Sequence, residues 1–365
     1  MTPFRYRPLG GTGLTVSAYC LGAMMFGSAG NGDRDQCRRI LDTALDAGIN
    51  FIDTADMYSN GESEEIVGEL LRGRRDELIL ATKFHFQMGE GQNRSGNSRR
   101  WIIRALEDSL RRLQTDWIDL YQVHRPDPTT DIEETLSALN DLTTAGKIRS
   151  FGCSTFPPEQ IIEAHWAAAR HGMASFRTEQ SPYSLLARGI ETSVLPVCER
   201  YGMGVLTWSP LAGGFLSGKY RSGESVDLSS GRAALQPDRF DPAIPENAAK
   251  LALADQLEGL ARELDTTLPA LALAFPLTHP AVTSVIIGPR TPDQLQAALT
   301  GAELVLDDAT LDRIDQIVAP GVDRYRVAWR PEHLDDPRAR RRPEAERAAL
   351  GEQVPRRAHR HQSRR

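Results

Sequence analysis

The sequence predicts an α/β chain folded as a (β/α)8 barrel, with an N-terminal β-hairpin and an extended, basic C-terminal tail. Three observations predict it. Eight short apolar runs of β type alternate with longer amphipathic segments. Glycines stand where several of those segments should end. A polar residue closes one apolar run after another, about one βα unit apart each time.

The chain opens on a hairpin: Tyr6 to Leu9, a turn of Gly10-Gly11-Thr12-Gly13, then Leu14 to Ser17. Strands are predicted at Tyr19–Ala23, Asn50–Asp53, Leu78–Thr82, Ile118–Val123, Ser150–Cys153, Ser175–Glu179, Gly204–Trp208 and Thr283–Ile287. Helices are predicted between them, over Arg34–Ala47, Ser63–Arg72, Ser98–Leu113, Ile132–Ala145, Pro158–Arg170, Ile190–Tyr201 and Ala248–Leu264. In the third, Trp101, Ile102, Ala105, Leu106, Ser109, Leu110 and Leu113 recur at three and four, the period of one helix face. Gly48, Gly146, Gly172 and Gly202 fall at helix ends, where a residue free to take positive φ stops the turn.

Eight such units favour a closed barrel over an open sheet. A doubly wound sheet would carry G-x-G-x-x-G after its first strand, whereas Gly11-Thr12-Gly13 runs into Leu14-Thr15-Val16. The Ser-, Gly-, Asp- and Pro-rich stretch from Tyr220 to Pro245 reads as a loop over the active face. The barrel is assigned residues 1–320, and residues 321–365 an Arg-rich extension.

Composition is that of a globular protein, 40% hydrophobic and 25% charged, and the net charge of −6 gives no electrostatic reason to expect nucleic acid. The last thirty residues are basic: ten arginines, among them Arg340-Arg341-Arg342, outweigh Asp336, Glu344, Glu346 and Glu352. Such a terminus reads as a solvated, flexible segment before it reads as an anchor or a nucleic-acid arm. Cys20, Cys37, Cys153 and Cys198 are far apart and form no C-x-x-C pair, so neither zinc nor a disulfide framework is expected. The N-terminus lacks an apolar signal region and no apolar run approaches about 18 residues, so the expected setting is cytoplasmic, with no membrane partner.

In a (β/α)8 barrel the C-terminal strand ends share one mouth, so polar residues that close apolar runs are the candidates for chemistry. They are Asp53, Lys83, His124, Ser154, Gln180 and Trp208 with Ser209, joined by Tyr58 five residues after Asp53. Alone, each has an ordinary structural reading: a cap, a surface lysine, a packed imidazole, a loop aromatic. Together they supply what hydride reduction of a carbonyl needs, namely a proton source at oxygen and control of developing charge. Tyrosine is a weak acid, with an unperturbed pKa of about 10. The expectation is that Lys83 lowers it, that Asp53 keeps Lys83 charged and aimed, and that His124 orients the substrate oxygen.

At these residues the chain resembles the aldo-keto reductases. Phe51-Ile52-Asp53-Thr54-Ala55-Asp56-Met57-Tyr58 is similar to the family segment bearing the catalytic Asp and the proton-donating Tyr. Ala81-Thr82-Lys83 resembles the lysine strand, and Tyr121-Gln122-Val123-His124-Arg125-Pro126-Asp127 the histidine strand. The resemblance, from about Tyr6 to about Val318, implies a carbonyl reductase using NADPH, with NADH the lesser cofactor, on a small-molecule aldehyde or ketone. It implies that Ser154 and Gln180 hold the nicotinamide carboxamide, with Thr155 where the family has Asn, and that Trp208 stacks on the ring. Ser209, Leu211, Gly213 and Lys219 would line the pyrophosphate. Gly22, in the first barrel strand, and Met24, just after it, are assigned to cofactor binding as well. Gly288, Arg290 and Gln294 open a helix after the last strand, where a phosphate belongs, and Arg290 would pair with the 2′-phosphate. Ala297-Ala298 replace the Glu-Asn pair the family often uses for adenine.

The potassium-channel β subunits resemble the same family and act chiefly as binding partners, so a cofactor-sensing regulatory subunit is the alternative function. A monomer or weak homo-oligomer is expected. Substrate selection falls to mouth loops that include Phe26, Phe86 and Gln87–Asn97.

Overall fold

The computed structural model describes residues 5–223, 226 and 237–325. A two-stranded antiparallel hairpin, β1 (Tyr6–Pro8) and β2 (Thr15–Ser17), precedes the barrel. The barrel strands are β3 (Tyr19–Gly22), β4 (Phe51–Asp53), β5 (Ile79–Phe84), β6 (Ile118–Val123), β7 (Ile148–Ser154), β8 (Thr178–Pro182), β9 (Gly204–Trp208) and β10 (Val282–Ile287). Each pairs in parallel with its sequence neighbours, and β10 pairs with β3 to close the ring.

Six helices fill the connections up to β9: α1 (Arg34–Asp46), α2 (Glu62–Leu70), α3 (Arg99–Leu113), α4 (Ile132–Thr144), α5 (Pro158–His171) and α6 (Val194–Arg200). Then come α7 (Pro245–Glu263) and α8 (Leu268–Ala274) before β10, with α9 (Pro292–Thr300) and α10 (Asp308–Ile317) after it. The caps are local. The Asp33 carboxylate accepts from the amides of Asp35 and Gln36, Ser98 caps α3 at Trp101, and Asp131 caps α4 at Glu133. Helix α3 buries the apolar stripe read from its sequence, Trp101 to Leu113.

The hairpin seals the end of the barrel opposite the strand C-termini. Leu9 and Val16 pack with Cys20, Phe51, Ala81, Leu120, Leu206 and Ile286 in one buried cluster. Gly10 makes that fit: at φ +52° a Cβ would lie 2.5 Å from the Arg177 carbonyl oxygen.

The closed (β/α)8 barrel with its hairpin is the predicted fold. Strand β8 differs from expectation, beginning at Thr178 rather than Ser175 and running through Pro182. Its register is set by pairing on both sides, Ser154 with Gln180 and Pro182 with Trp208, which overrides local turn propensity. Asp323 and Arg324 still bond to the barrel: the Gly189 amide donates to Asp323 Oδ1 and the Arg324 amide to the Leu186 carbonyl. The Arg-rich stretch of the extension and residues 224–225 and 227–236 of the predicted mouth loop lie outside the described residues.

Candidate active site

The β4–β5–β6 neighbours bring Asp53, Lys83 and His124 to one end of the barrel. Asp53 ends β4, Lys83 is the fifth residue of β5, and His124 follows β6, its amide bonded to the Phe84 carbonyl. Tyr58 arrives from the loop after β4. That loop turns sharply through Ser59 and Asn60, both at positive φ, before α2 begins, and leaves Tyr58 half-buried at the mouth.

The four side chains form one connected group. Lys83 Nζ donates to Asp53 Oδ1 at 2.5 Å, to the Thr54 carbonyl at 2.8 Å and to the Tyr58 hydroxyl at 3.2 Å. The Tyr58 and His124 rings meet edge to face, their centroids 5.9 Å apart. Asp53 Oδ2 also accepts from Gln180 Nε2 at 2.9 Å and Gln122 Nε2 at 3.5 Å. Gln122 has no place in the sequence reading. Its only signal was the strand alternation that points it inward beside Lys83.

Burial and charge set the protonation states. Burial pulls the Lys83 ammonium down, but Asp53 and Tyr58 more than offset it, so Lys83 titrates above an ordinary lysine. For Tyr58 the outcome differs from expectation. Burial outweighs the pull of Lys83, so the hydroxyl titrates above 10 and stays a phenol. The lysine limits that rise without reversing it. His124 is driven well below 6.5 by burial and by the cations Lys83 and Arg125, which leaves it neutral. A protonated phenol, a fixed ammonium and a neutral imidazole are what proton delivery to a carbonyl oxygen requires.

The other predicted positions lie at strand ends and in the segments next to them. Ser154 ends β7 and donates to the Gln180 carbonyl at 2.8 Å. Trp208 ends β9, with its indole only partly covered. Ser209, at positive φ, accepts from the Gly213 amide at 3.1 Å and shapes a turn through Leu211 and Gly213. Lys219 is exposed beyond it. Gly288 and Arg290 sit between β10 and α9, where Thr291 caps the helix and the Arg290 amide donates to Gln294 Oε1 at 2.8 Å. Asn31, absent from the sequence reading, ties the first loop to this one by donating to the Arg290 carbonyl at 2.8 Å. Met24 is exposed after β3. Gly22 has a packing reason of its own: a Cβ there would stand 2.7 Å from Ile286 Cγ2.

Thr155 sits at φ +58°, a left-handed conformation that Asn takes readily and a β-branched residue does not. Its amide is held by Glu179 Oε1 at 2.7 Å and by the Gln180 carbonyl. Its Oγ1 and His124 Nδ1 are buried with no hydrogen-bond partner among the described residues. Two unpartnered buried polar atoms, a half-covered indole at Trp208 and a helix N-terminus at α9 are the kinds of group that suit a molecule with a polar flat ring and an anionic group.

The model of the Aldo/keto reductase family matches residues 18–319. The chain belongs to this family. An aldo/keto reductase is an oxidoreductase using a nicotinamide cofactor and a small-molecule substrate. Among individual relatives, the chain is 38% identical to "Uncharacterized oxidoreductase YrpG" of Bacillus subtilis, over 86% of this chain and 95% of that one. It is 36% identical to "Probable voltage-gated potassium channel subunit beta" of Arabidopsis thaliana, over 86% of this chain and 96% of that one. No helix among the described residues is long and apolar enough to cross a membrane.

Proposed function

We propose that the chain is an NADPH-dependent reductase of aldehydes and ketones in which Tyr58 delivers the proton. The hydrogen-bonded chain Tyr58–Lys83–Asp53 carries this reading, because it joins a protonated phenol to a buried cation that its own carboxylate holds in place. NADPH, when bound, would supply the hydride for the carbonyl carbon. Ser154 and Gln180 would hold its carboxamide, and Trp208 would cover one face of its ring. Tyr58 and His124 bind the carbonyl oxygen; Tyr58 then gives up its proton, and Lys83 stabilises the phenolate that remains. Thr54 and Asp53 keep the ammonium on the phenol side.

Arg290, at the start of α9, supports a 2′-phosphate contact and hence NADPH over NADH. The test is loss of NADPH absorbance with 4-nitrobenzaldehyde, repeated with NADH. Turnover favouring NADPH supports the reading, and no turnover with either cofactor overturns it. The likeness to a protein named as a channel β subunit supports a second reading, a cofactor-sensing regulatory subunit. The same assay separates the two, since tight NADPH binding without turnover favours the subunit.

A further inference from the structure

Arg290 is aimed by its backbone. Among the described residues its guanidinium makes no hydrogen bond or ion pair, while both polar groups of its main chain are held by side chains. Gln294, the third residue of α9, accepts from the Arg290 amide through Oε1 at 2.8 Å. Asn31 Nδ2 donates to the Arg290 carbonyl, also at 2.8 Å. The first contact is local. The second comes from the loop between β3 and α1, 259 residues earlier in the chain.

Asn31 is itself anchored at its other polar groups. Its amide donates to the Met25 carbonyl at 2.7 Å, and its carbonyl accepts from the Gly27 amide at 2.9 Å and from Cys37 Sγ at 3.4 Å. Its Oδ1 accepts at 3.0 Å from the amide of Asp33, the N-cap of α1. The Nδ2 group therefore reaches Arg290 from a fixed turn, beside the contact between α1 and α9. It also lies 3.4 Å from Gln36 Oε1, a longer contact. An amide side chain supplies an acceptor and a donor on one short stem, whereas Asp lacks the donor and Ser the reach. A long arginine side chain loses rotamer freedom when it grips a phosphate, so a backbone fixed in advance lowers the cost of that contact.

We infer that Asn31 is a positioning residue: it holds the Arg290 peptide where the guanidinium meets the adenosine 2′-phosphate, and so sets how strongly the site prefers NADPH over NADH. It acts through Arg290 and not by touching the nucleotide. The inference rests on the reading of Arg290 as the 2′-phosphate contact.

The test measures dissociation constants of NADPH and NADH in the full-length protein, by quenching of tryptophan fluorescence, and needs no turnover. Asn31→Ser keeps a side-chain oxygen for the Asp33 amide and loses the reach to Arg290. It should lower the preference for NADPH about 3- to 10-fold, the scale of one hydrogen bond, with NADH binding close to wild type. Adenosine 2′,5′-bisphosphate, which lacks the nicotinamide, should weaken by a similar factor in calorimetry. In an Arg290→Ala background Asn31→Ser should change the preference no further, because both substitutions act on one contact. Asn31→Asp keeps the shape and removes the donor, and decides the question if Asn31→Ser does not fold. The same substitution beside Arg290→Ala controls for its added charge.

If Arg290→Ala leaves the NADPH to NADH ratio unchanged, the 2′-phosphate reading falls and this inference falls with it. If Arg290→Ala lowers the ratio and the Asn31 variants do not, the inference alone is overturned. Parallel losses for both cofactors would make Asn31 a loop support only. A full further loss in the Arg290→Ala background would show that it acts elsewhere. Either result also overturns the inference.

Discussion

Lys83 Nζ lies 3.2 Å from the Tyr58 hydroxyl oxygen. That contact joins a fully buried ammonium to a phenol at the mouth, and the phenol also feels the positive charge of Arg125. The Asp53–Lys83 pair is costly to bury. Its value is to orient the ammonium rather than to stabilise the fold.

Removing the hydroxyl alone isolates the proton-transfer step. Tyr58→Phe keeps the ring packed against His124 and should lower kcat for aldehyde reduction by at least about 10²-fold, the scale of general acid catalysis. NADPH binding, followed by quenching of tryptophan fluorescence, should stay close to that of wild type. Near-normal turnover in this variant would remove Tyr58 from the mechanism.

Much of this group was legible in the sequence, because a barrel strand projects side chains with period two and Asp53, Lys83 and His124 each close an apolar run. Strands β6 and β9 match their predicted bounds residue for residue. Helix α8 was not legible: Leu268–Ala274 is buried nearly all round, so it has no polar face and no amphipathic period. Helix α10 was also missed, although Asp307 caps it at Thr310. The sign of the Tyr58 shift could not be read either. It depends on how deeply the phenol is desolvated, a quantity set by Lys83, His124 and the barrel wall together.

Cofactor choice is tested at the other end of the cleft. Arg290→Ala removes a guanidinium beside the α9 N-terminus and leaves the backbone amides in place. The NADPH dissociation constant should rise about 10-fold or more, the scale of one charge-assisted hydrogen bond, while that for NADH changes little. Equal losses for both cofactors would rule out the 2′-phosphate contact.

Behind the catalytic strand lies a buried ion pair that should matter for stability rather than chemistry. Glu64 is fully buried, accepts from Arg112 Nε at 2.7 Å and takes the Thr82 hydroxyl at 2.5 Å. Thr82 points away from the barrel interior that Lys83 faces, so the pair braces β5 from outside. Arg112→Met strands the carboxylate and should cost about 3 kcal/mol in urea unfolding. Arg112→Met with Glu64→Gln should recover a good part of the loss, and a double variant no better than the single would contradict this account.

Acid sensitivity follows from His124. Its folded pKa lies well below 6.5, so on acidification the unfolded chain takes up a proton that the native protein refuses. Stability contributed by the neutral ring is therefore present above about pH 6.5 and is lost as pH falls below it. The slope from this one group is at most about 1.4 kcal/mol per pH unit. Urea unfolding at pH 7 and pH 5 should show wild type losing more stability than His124→Gln, which cannot titrate. His165, also lowered by burial, to about 4, contributes in the same direction and persists in the variant, so the difference between the two proteins reports His124 alone. Parallel stability curves would mean that His124 titrates in the native protein as it does in the unfolded chain, and the account of a ring held neutral by burial would fail.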